Sequence, residues 1–152
     1  MEAWVGVIAT YTSVMRALET EMFEHHGLPI TWFDVLNRLE QAPGHRLRMH
    51  ELEAASVFTR SGITRLSDRL EGAGLVRREH STDDRRGVIL VITKEGTDKL
   101  AEVWPDHLSG IEEHFGRHIS AADAHALRRI IVKVLDSMPT VSARHASTDP
   151  PK

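Results

Sequence analysis

The sequence contains no cysteine. Disulfide bonds, thiolate metal ligands and thiol-based redox sensing all require that side chain, so each of them is excluded. Long apolar runs are missing too: no stretch of 18 apolar residues occurs, and we expect no membrane-spanning helix. The opening residues MEAWVGVIAT carry a glutamate where the basic region of a signal peptide would lie. We therefore expect a cytoplasmic protein.

The motifs of common enzyme classes are also absent. The chain has no GxSxG elbow, no phosphate-binding P-loop and no glycine-rich dinucleotide turn. Its serine, histidine and aspartate residues are scattered, and we assign them to helix caps and exposed faces. We expect neither enzyme activity nor a cofactor, and keep a small hydrolase or a protein-interaction module as weaker alternatives.

Basic residues are concentrated in one segment of the 152-residue chain, which is long enough for one compact domain. The net charge is −3, but Arg46 to Lys94 holds 10 Lys/Arg and 7 Asp/Glu, a balance of +3. The remaining residues hold 9 basic and 15 acidic groups, a balance of −6. A basic segment on an acidic body indicates a directional contact with nucleic acid.

A helix-turn-helix pattern lies inside this basic segment. Apolar residues at helical spacing predict a first helix from Arg48 to Ser56. Thr59 is placed to cap a second helix, which Gly74 ends in a left-handed conformation. That helix has an apolar stripe made of Ile63, Leu66, Leu70 and Ala73.

The opposite face of the second helix is polar and basic. Arginine and hydroxyl side chains near the start of such a helix suit base edges in the major groove. Taken alone, the face also fits an ordinary solvated helix. Its residues are Arg60, Ser61, Thr64, Arg65 and Asp68.

A two-stranded hairpin is predicted to follow. Leu75-Val76 and Val88 to Ile92 have strand chemistry, and the polar segment between them ends in glycine. Asp83 and Arg85 can pair across the turn and aim an arginine into a narrow minor groove. DDRR by itself also fits a solvated tip of mixed charge. The specific feature is the order: helix-turn-helix, strand, DDRRG, strand.

Two segments carry a resemblance to a known family. Residues 59–79 (TRSGITRLSDRLEGAGLVRRE) and 83–96 (DDRRGVILVITKEG) resemble the MarR (multiple antibiotic resistance regulator) family of bacterial winged-helix transcription factors. The likeness extends loosely over residues 1–138. It implies a mainly α fold with a small β-hairpin wing (α+β), and a ligand-responsive repressor that binds a palindromic operator in double-stranded DNA as a homodimer.

The resemblance also divides the chain into parts. Residues 31–93 are expected to form the winged helix-turn-helix domain, and residues 1–30 and 94–138 the dimerisation helices. The residues expected to contact DNA are Thr59, Arg60, Ser61, Thr64, Arg65, Arg69, Asp83, Arg85 and Arg86.

The flanking helices are apolar enough to need a partner surface. Residues 1–25 carry a near-continuous apolar stripe, and Thr31 is predicted to cap a second helix. A helix from Lys94 to about Gly116 contains Pro105, which should kink or locally unwind it. Ser120 is predicted to cap the last helix. Packing across a two-fold axis would bury the apolar stripes, and residues 139–152 are expected to be disordered.

Histidines suggest an alternative function. His107, His114 and His118 lie within about 40° of one another on a helical wheel, and His114 and His118 have a spacing that can bind zinc. The helix is predicted to end before His118, which favours boundary residues over a metal site. A zinc-responsive sensor built on these three histidines remains the alternative.

A small ligand is a further implication of the resemblance. It would be an aromatic or phenolic molecule in the crevice between the dimer helices and the winged domain. Trp4 and Trp32 also suit plain packing, and Asp34 can pair with Arg38 or with an arginine of the winged helices. The candidate ligand-binding residues are Trp4, Tyr11, Trp32, Asp34 and His107.

Overall fold

A computed structural model describes residues 1–55, 60–80 and 87–138. Six helices and three strands follow one another in these ranges, with short 3-10 turns after the second and fifth helices. The elements, in chain order, are α1 (Glu2–His26), α2 (Ile30–Gln41), β1 (Arg46–Arg48), α3 (Met49–Ala55), α4 (Arg60–Gly72), β2 (Val76–His80), β3 (Val88–Ile92), α5 (Lys94–His114) and α6 (Ala121–Asp136).

The sheet has three antiparallel strands in the order β1-β3-β2. The two-stranded hairpin is confirmed, with Arg78 opposite Leu90, but β1 was not predicted. Three residues of sequence RLR are too short and too polar to show a strand period. Because Arg48 pairs with Ile89 in β1, the first helix of the helix-turn-helix begins at Met49, one residue later than predicted.

The core lies where α2, α3, α4 and α5 pack against the sheet. Each helix contributes residues at three- and four-residue spacing, as expected for amphipathic helices. The predicted α4 stripe is confirmed except for Ala73, which is exposed at the end of the helix. The most deeply buried side chains include Val35, Leu36, Leu39, Leu52, Ile63, Leu70, Val76, Leu90, Leu100 and Val103.

Two predicted helix boundaries are confirmed. Gly74 has φ +75° after α4, the left-handed region that glycine occupies without steric cost. Ser120 and Asp123 form a capping box, since each side chain accepts a hydrogen bond from the other residue's backbone N–H.

The predicted cap at Thr31 is wrong. Helix α2 begins at Ile30, after Pro29 in extended conformation. The backbone N–H of Ile30 donates to the Glu19 carboxylate at 3.0 Å. A side chain from α1 therefore binds the first N–H of α2, and the residue before the helix makes no side-chain cap hydrogen bond.

Local unwinding at Pro105 is also a wrong prediction. Helix α5 runs without interruption from Lys94 to His114. Pro105 is exposed, while Val103 and Trp104 beside it are buried against the core. Tertiary packing of the residues just before the proline holds the helix together despite the missing N–H. The predicted helix end before His118 is confirmed.

Apolar side chains remain exposed at both ends of the described chain. Leu18 and Met22 are buried in the second half of α1, whereas Trp4 is 64% exposed and Tyr11 58% exposed in the first half. None of the sixteen residues of α6, all of them described, is buried. Among the described residues, no helix combines the length and apolar character that a membrane span requires. The expected disordered tail, residues 139–152, lies outside the described residues.

Candidate nucleic-acid interface

Helix α4 presents the polar face that the sequence predicts. Ile63, Leu66 and Leu70 anchor the helix in the core, so the other side of the cylinder faces solvent. Hydroxyl groups lie toward the start of this exposed face and arginines follow them. The exposed residues are Ser61, Thr64, Arg65, Asp68 and Arg69.

Arg65 and Arg69 differ from Arg46, Arg77 and Arg78 of the winged region. Among the described residues, neither of them has an ion-pair partner. In contrast, Arg77 lies 2.6 Å from Glu79, and Arg46 lies 3.4 Å from the same carboxylate. The guanidinium groups of Arg65 and Arg69 are thus available to an external anion, such as a DNA phosphate or the acceptors of a guanine.

Arg78 of β2 forms a network with α4 that sequence reasoning missed. Its Nη1 lies 2.6 Å from Asp68 Oδ1 and 3.0 Å from Glu71 Oε2. Its backbone N–H donates to Glu71 Oε1 at 3.0 Å, and its Nη2 donates to the Thr64 carbonyl at 3.4 Å. Strand alternation could have revealed it, since Arg78 shares a strand face with buried Val76.

Several predicted DNA contacts cannot be placed. Thr59, Asp83, Arg85 and Arg86 lie outside the described residues. Arg60 is the first residue of α4, and its backbone alone is described. The predicted cap at Thr59 and the Asp83–Arg85 pair therefore stay predictions.

The chain resembles known regulators over its winged region and beyond. The model of the MarR family matches residues 26–87. The transcriptional regulator HosA of Escherichia coli O127:H6 is 30% identical over 105 residues, which cover 69% of this chain and 76% of HosA. The chain belongs to the MarR family. The transcriptional repressor YetL of Bacillus subtilis is 38% identical over 97 residues, 64% of this chain.

A solved structure of the MarR family supports the fold along most of the chain. Sco3205, a MarR family transcriptional regulator from Streptomyces coelicolor crystallised in complex with DNA, matches with a TM-score of 0.82 and 28% identity. The match covers 90% of this chain and 86% of Sco3205. The chain spans a smaller share, 58%, of the YetL repressor.

The candidate ligand residues of this MarR-family chain are spread over separate places. Trp4 and Tyr11 lie on the exposed first half of α1, and Trp32 packs half-buried beside the core. Asp34 pairs with Arg38 at 2.9 Å, which is one of the two pairings that the sequence suggests. His107 packs beside the stacked rings of Phe33 and Trp104, at centroid distances of 4.3 and 6.2 Å.

His107 borders a cavity of ≈ 250 Å³ between α1 and α5. Its Nδ1 is buried without a hydrogen-bond partner among the described residues. Burial lowers the pKa of His107 below its ordinary value, so the imidazole is neutral at neutral pH. Of the five candidate ligand residues, His107 alone lines this cavity. The other lining residues are Leu18, Glu21, Met22, His25, His26, Val103, Asp106, Ser109, Gly110 and Glu113.

The three histidines of the zinc alternative have different surroundings. His114 Nε2 lies 2.6 Å from Glu21 Oε1, which links α5 to α1. His118 lies in the 3-10 turn after α5, and His107 is held among aromatic rings. Within the described ranges, no group of three or more histidine, cysteine or acidic side chains is arranged to hold a metal ion.

Proposed function

We propose that this chain is a sequence-specific DNA-binding repressor that acts as a homodimer on a palindromic operator. The observation that carries the proposal is the exposed face of α4. Two arginines that have no ion-pair partner among the described residues lie beside hydroxyl residues, on a helix whose opposite face is anchored in the core. Such a helix fits the major groove, with its N-terminal residues toward the base edges. The repressor role follows the name of the YetL relative.

The exposed apolar helices support the homodimer. Large apolar side chains of the first half of α1 and of α6 face solvent in the single subunit, including Ile130 at 56% exposure. Exposed apolar surface of this extent marks an interaction surface. A second copy of the chain would bury both helices by two-fold symmetry. Residues 1–30 and 94–138 then form the dimerisation region. Residues 31–93 form the winged helix-turn-helix domain that binds DNA.

The wing is proposed to reach the minor groove through residues that lie outside the described ranges. A narrow, A/T-rich groove concentrates negative potential and attracts arginine. Arg85→Ala should then weaken binding more at A/T-rich flanks than at G/C-rich ones. Asp83→Ala should cause a milder loss, because the aspartate only orients the arginine. Equal losses of affinity on both kinds of flank would indicate plain phosphate contact instead.

Operator binding is tested on α4 itself. A palindrome is selected from random duplexes with the wild-type protein, and its affinity is measured at several salt concentrations. Arg65→Ala should weaken that binding by about 1–3 kcal/mol. Arg117→Ala is the matched control. It also removes an arginine, but Arg117 lies after α5, away from α4, and pairs with Glu113. A folded wild-type protein that selects no palindrome, or equal losses in both variants, would contradict the proposal.

A regulatory ligand is proposed for the cavity at His107. Glu21, Asp106 and Glu113 surround it, so a carboxylate ligand would meet three acidic groups. A neutral one-ring phenol fits better, since its hydroxyl can bond the buried imidazole and its ring can contact Leu18 and Met22.

Calorimetry with phenol and with benzoate tests this ligand. Phenol should bind the wild-type protein more tightly than benzoate, and His107→Phe should weaken the phenol affinity. Operator DNA should weaken phenol binding by a coupling of about 1–3 kcal/mol. Equal phenol affinity with and without operator would mean that the bound molecule is not the regulatory signal.

A further inference from the structure

One side chain of β2 spans two turns of α4. Thr64, Asp68 and Glu71 follow one another at four- and three-residue steps, so they form one stripe along the helix. Arg78 contacts all three: it donates hydrogen bonds to the Thr64 carbonyl and the Glu71 carboxylate, and it forms an ion pair with Asp68. This stripe borders the exposed arginines Arg65 and Arg69 on the same helix.

The Arg78 network can fix the orientation of α4, which the apolar anchors of the helix cannot. Burial of Ile63, Leu66 and Leu70 holds the helix against the core, but apolar attraction has no direction. Charge-assisted hydrogen bonds from a planar guanidinium do have direction. They restrict rotation of α4 about its axis and sliding of the helix past β2.

We propose that Arg78 is a positioning residue for DNA reading. It locks α4 to β2, the strand that leads into the wing, so that both parts move as one unit. The contacts of α4 in the major groove and of the wing in the minor groove must then be made at one relative spacing. The inference rests on the proposed function, because it assigns Arg78 a role in reading the operator.

The partial exposure of the network argues for a geometric role. The side chains of Asp68 and Glu71 are 56% and 39% exposed. Ion pairs in such positions contribute little to folding stability because water screens them. Variants of the network should therefore remain folded, and their urea midpoints should stay close to that of the wild-type protein.

Glu71→Gln separates positioning from simple charge. Removing a carboxylate near DNA should strengthen binding to every duplex if charge alone matters. If Arg78 positions α4, the ratio of operator affinity to non-specific affinity should instead fall by about tenfold, as when one base contact is lost. Glu79→Gln is the matched control: it is the same charge change on β2, but Glu79 pairs with Arg46 and Arg77.

Arg78→Lys tests the same idea from the other side. Lysine keeps the charge but loses the planar fork, so the affinity ratio should fall about as far as in Glu71→Gln. Arg77→Ala, which removes the neighbouring arginine on the other strand face, should leave the ratio unchanged. Combining Glu71→Gln with Arg78→Lys should add little, because both changes break one network.

The outcomes are distinguishable. If the wild-type protein prefers its operator and both network variants keep the wild-type affinity ratio, Arg78 has no positioning role and the inference fails alone. If the wild-type protein prefers no duplex, the proposed function fails and the inference falls with it. A reduced ratio in the two network variants and an unchanged ratio in the two controls would support both.

Discussion

The winged body (α2 to α5 with the three-stranded sheet) and the terminal helices (α1 and α6) have similar apolar patterns. They differ in whether residues of the same subunit cover their apolar faces. Helix α2 places Leu36 and Leu39 at 0% exposure. Helix α6 has apolar residues at comparable spacing, yet Ile130, Ile131 and Val134 all face solvent. Helix α1 shows both behaviours, since Leu18 is buried while Trp4 is not. Periodicity therefore indicates which face is apolar, and not whether the same subunit covers it.

The subunit therefore consists of a self-contained core and helices that need a partner surface. The body closes around its own core, with the sheet and α5 supplying the second layer. The first half of α1 and the whole of α6 expose apolar side chains to water, which is unfavourable. Substitutions in the body should thus affect folding, and substitutions in the terminal helices should affect assembly.

The largest loss of stability is expected in the body. Leu36→Ala removes a fully buried side chain and should lower the free energy of unfolding by about 2–5 kcal/mol. Ile131→Ala, on exposed α6, is the matched control and should change the stability of a single subunit far less. Urea unfolding of both variants checks the contrast. Equal losses would mean that α6 belongs to the folding core of the subunit.

Two glycines of α5 differ in what an added methyl group would contact. A Cβ at Gly96 would lie 2.2 Å from the Leu75 carbonyl oxygen, so backbone has to move. Gly96→Ala should cost about 1–3 kcal/mol by overpacking. A Cβ at Gly110 would meet the Leu18 side chain, which can rotate away, and alanine favours the helix by about 1 kcal/mol. Thermal unfolding should therefore show a clearly larger loss for Gly96→Ala than for Gly110→Ala.

His107 lies at the contact between the winged body and α1. We expect it to make a smaller, pH-dependent contribution to folding stability. Burial lowers its pKa in the folded state, whereas the unfolded value is 6.5. Above pH 6.5 the imidazole is neutral in both states. Below it the unfolded chain binds a proton first, so stability falls as the pH falls toward the folded pKa.

His107→Phe should make this decline shallower, because phenylalanine binds no proton. Urea midpoints measured from about pH 7.5 down to about pH 5 check the slope. The wild-type protein, measured over the same pH range, is the reference for this slope. An unchanged slope in His107→Phe would assign the acid sensitivity to other groups.

The smallest effect on subunit folding is expected from Ile130→Glu. Ile130 is exposed, so the variant subunit should keep native helix content and unfold cooperatively, with a change of about 0.5 kcal/mol or less. Its assembly should change instead, because a carboxylate at a dimer interface has to be desolvated. Sedimentation should give a dimer for the wild-type protein and a monomer for the variant. A variant that stays dimeric would place the interface away from α6.

Much of the fold was predictable because its signals are local. The apolar stripe of α4, the glycine after it and the Ser120 cap each depend on residues within a few positions of one another. The polar face of α4 followed from the same stripe. The helix-turn-helix, hairpin and flanking helices could therefore be placed in order from the sequence.

The errors share one physical cause. The predicted cap at Thr31 was replaced by Glu19 of α1, and the predicted unwinding at Pro105 was overcome by packing of Val103 and Trp104. Strand β1 exists because β3 offers it a free edge, and its own three residues show no strand period. In each case a contact with a residue distant in sequence prevailed over a local preference.

The family, the order of the elements and the solvent-facing side of α4 follow from the sequence alone, because periodicity and capping depend on neighbouring residues. The pairing of the arginines depends instead on the tertiary structure. Arg78 is held by Asp68 and Glu71, and Arg77 by Glu79, while Arg65 has no such partner among the described residues. Charge counts along a chain cannot make that distinction, because an ion pair depends on a separation of a few ångströms between groups that only folding brings together.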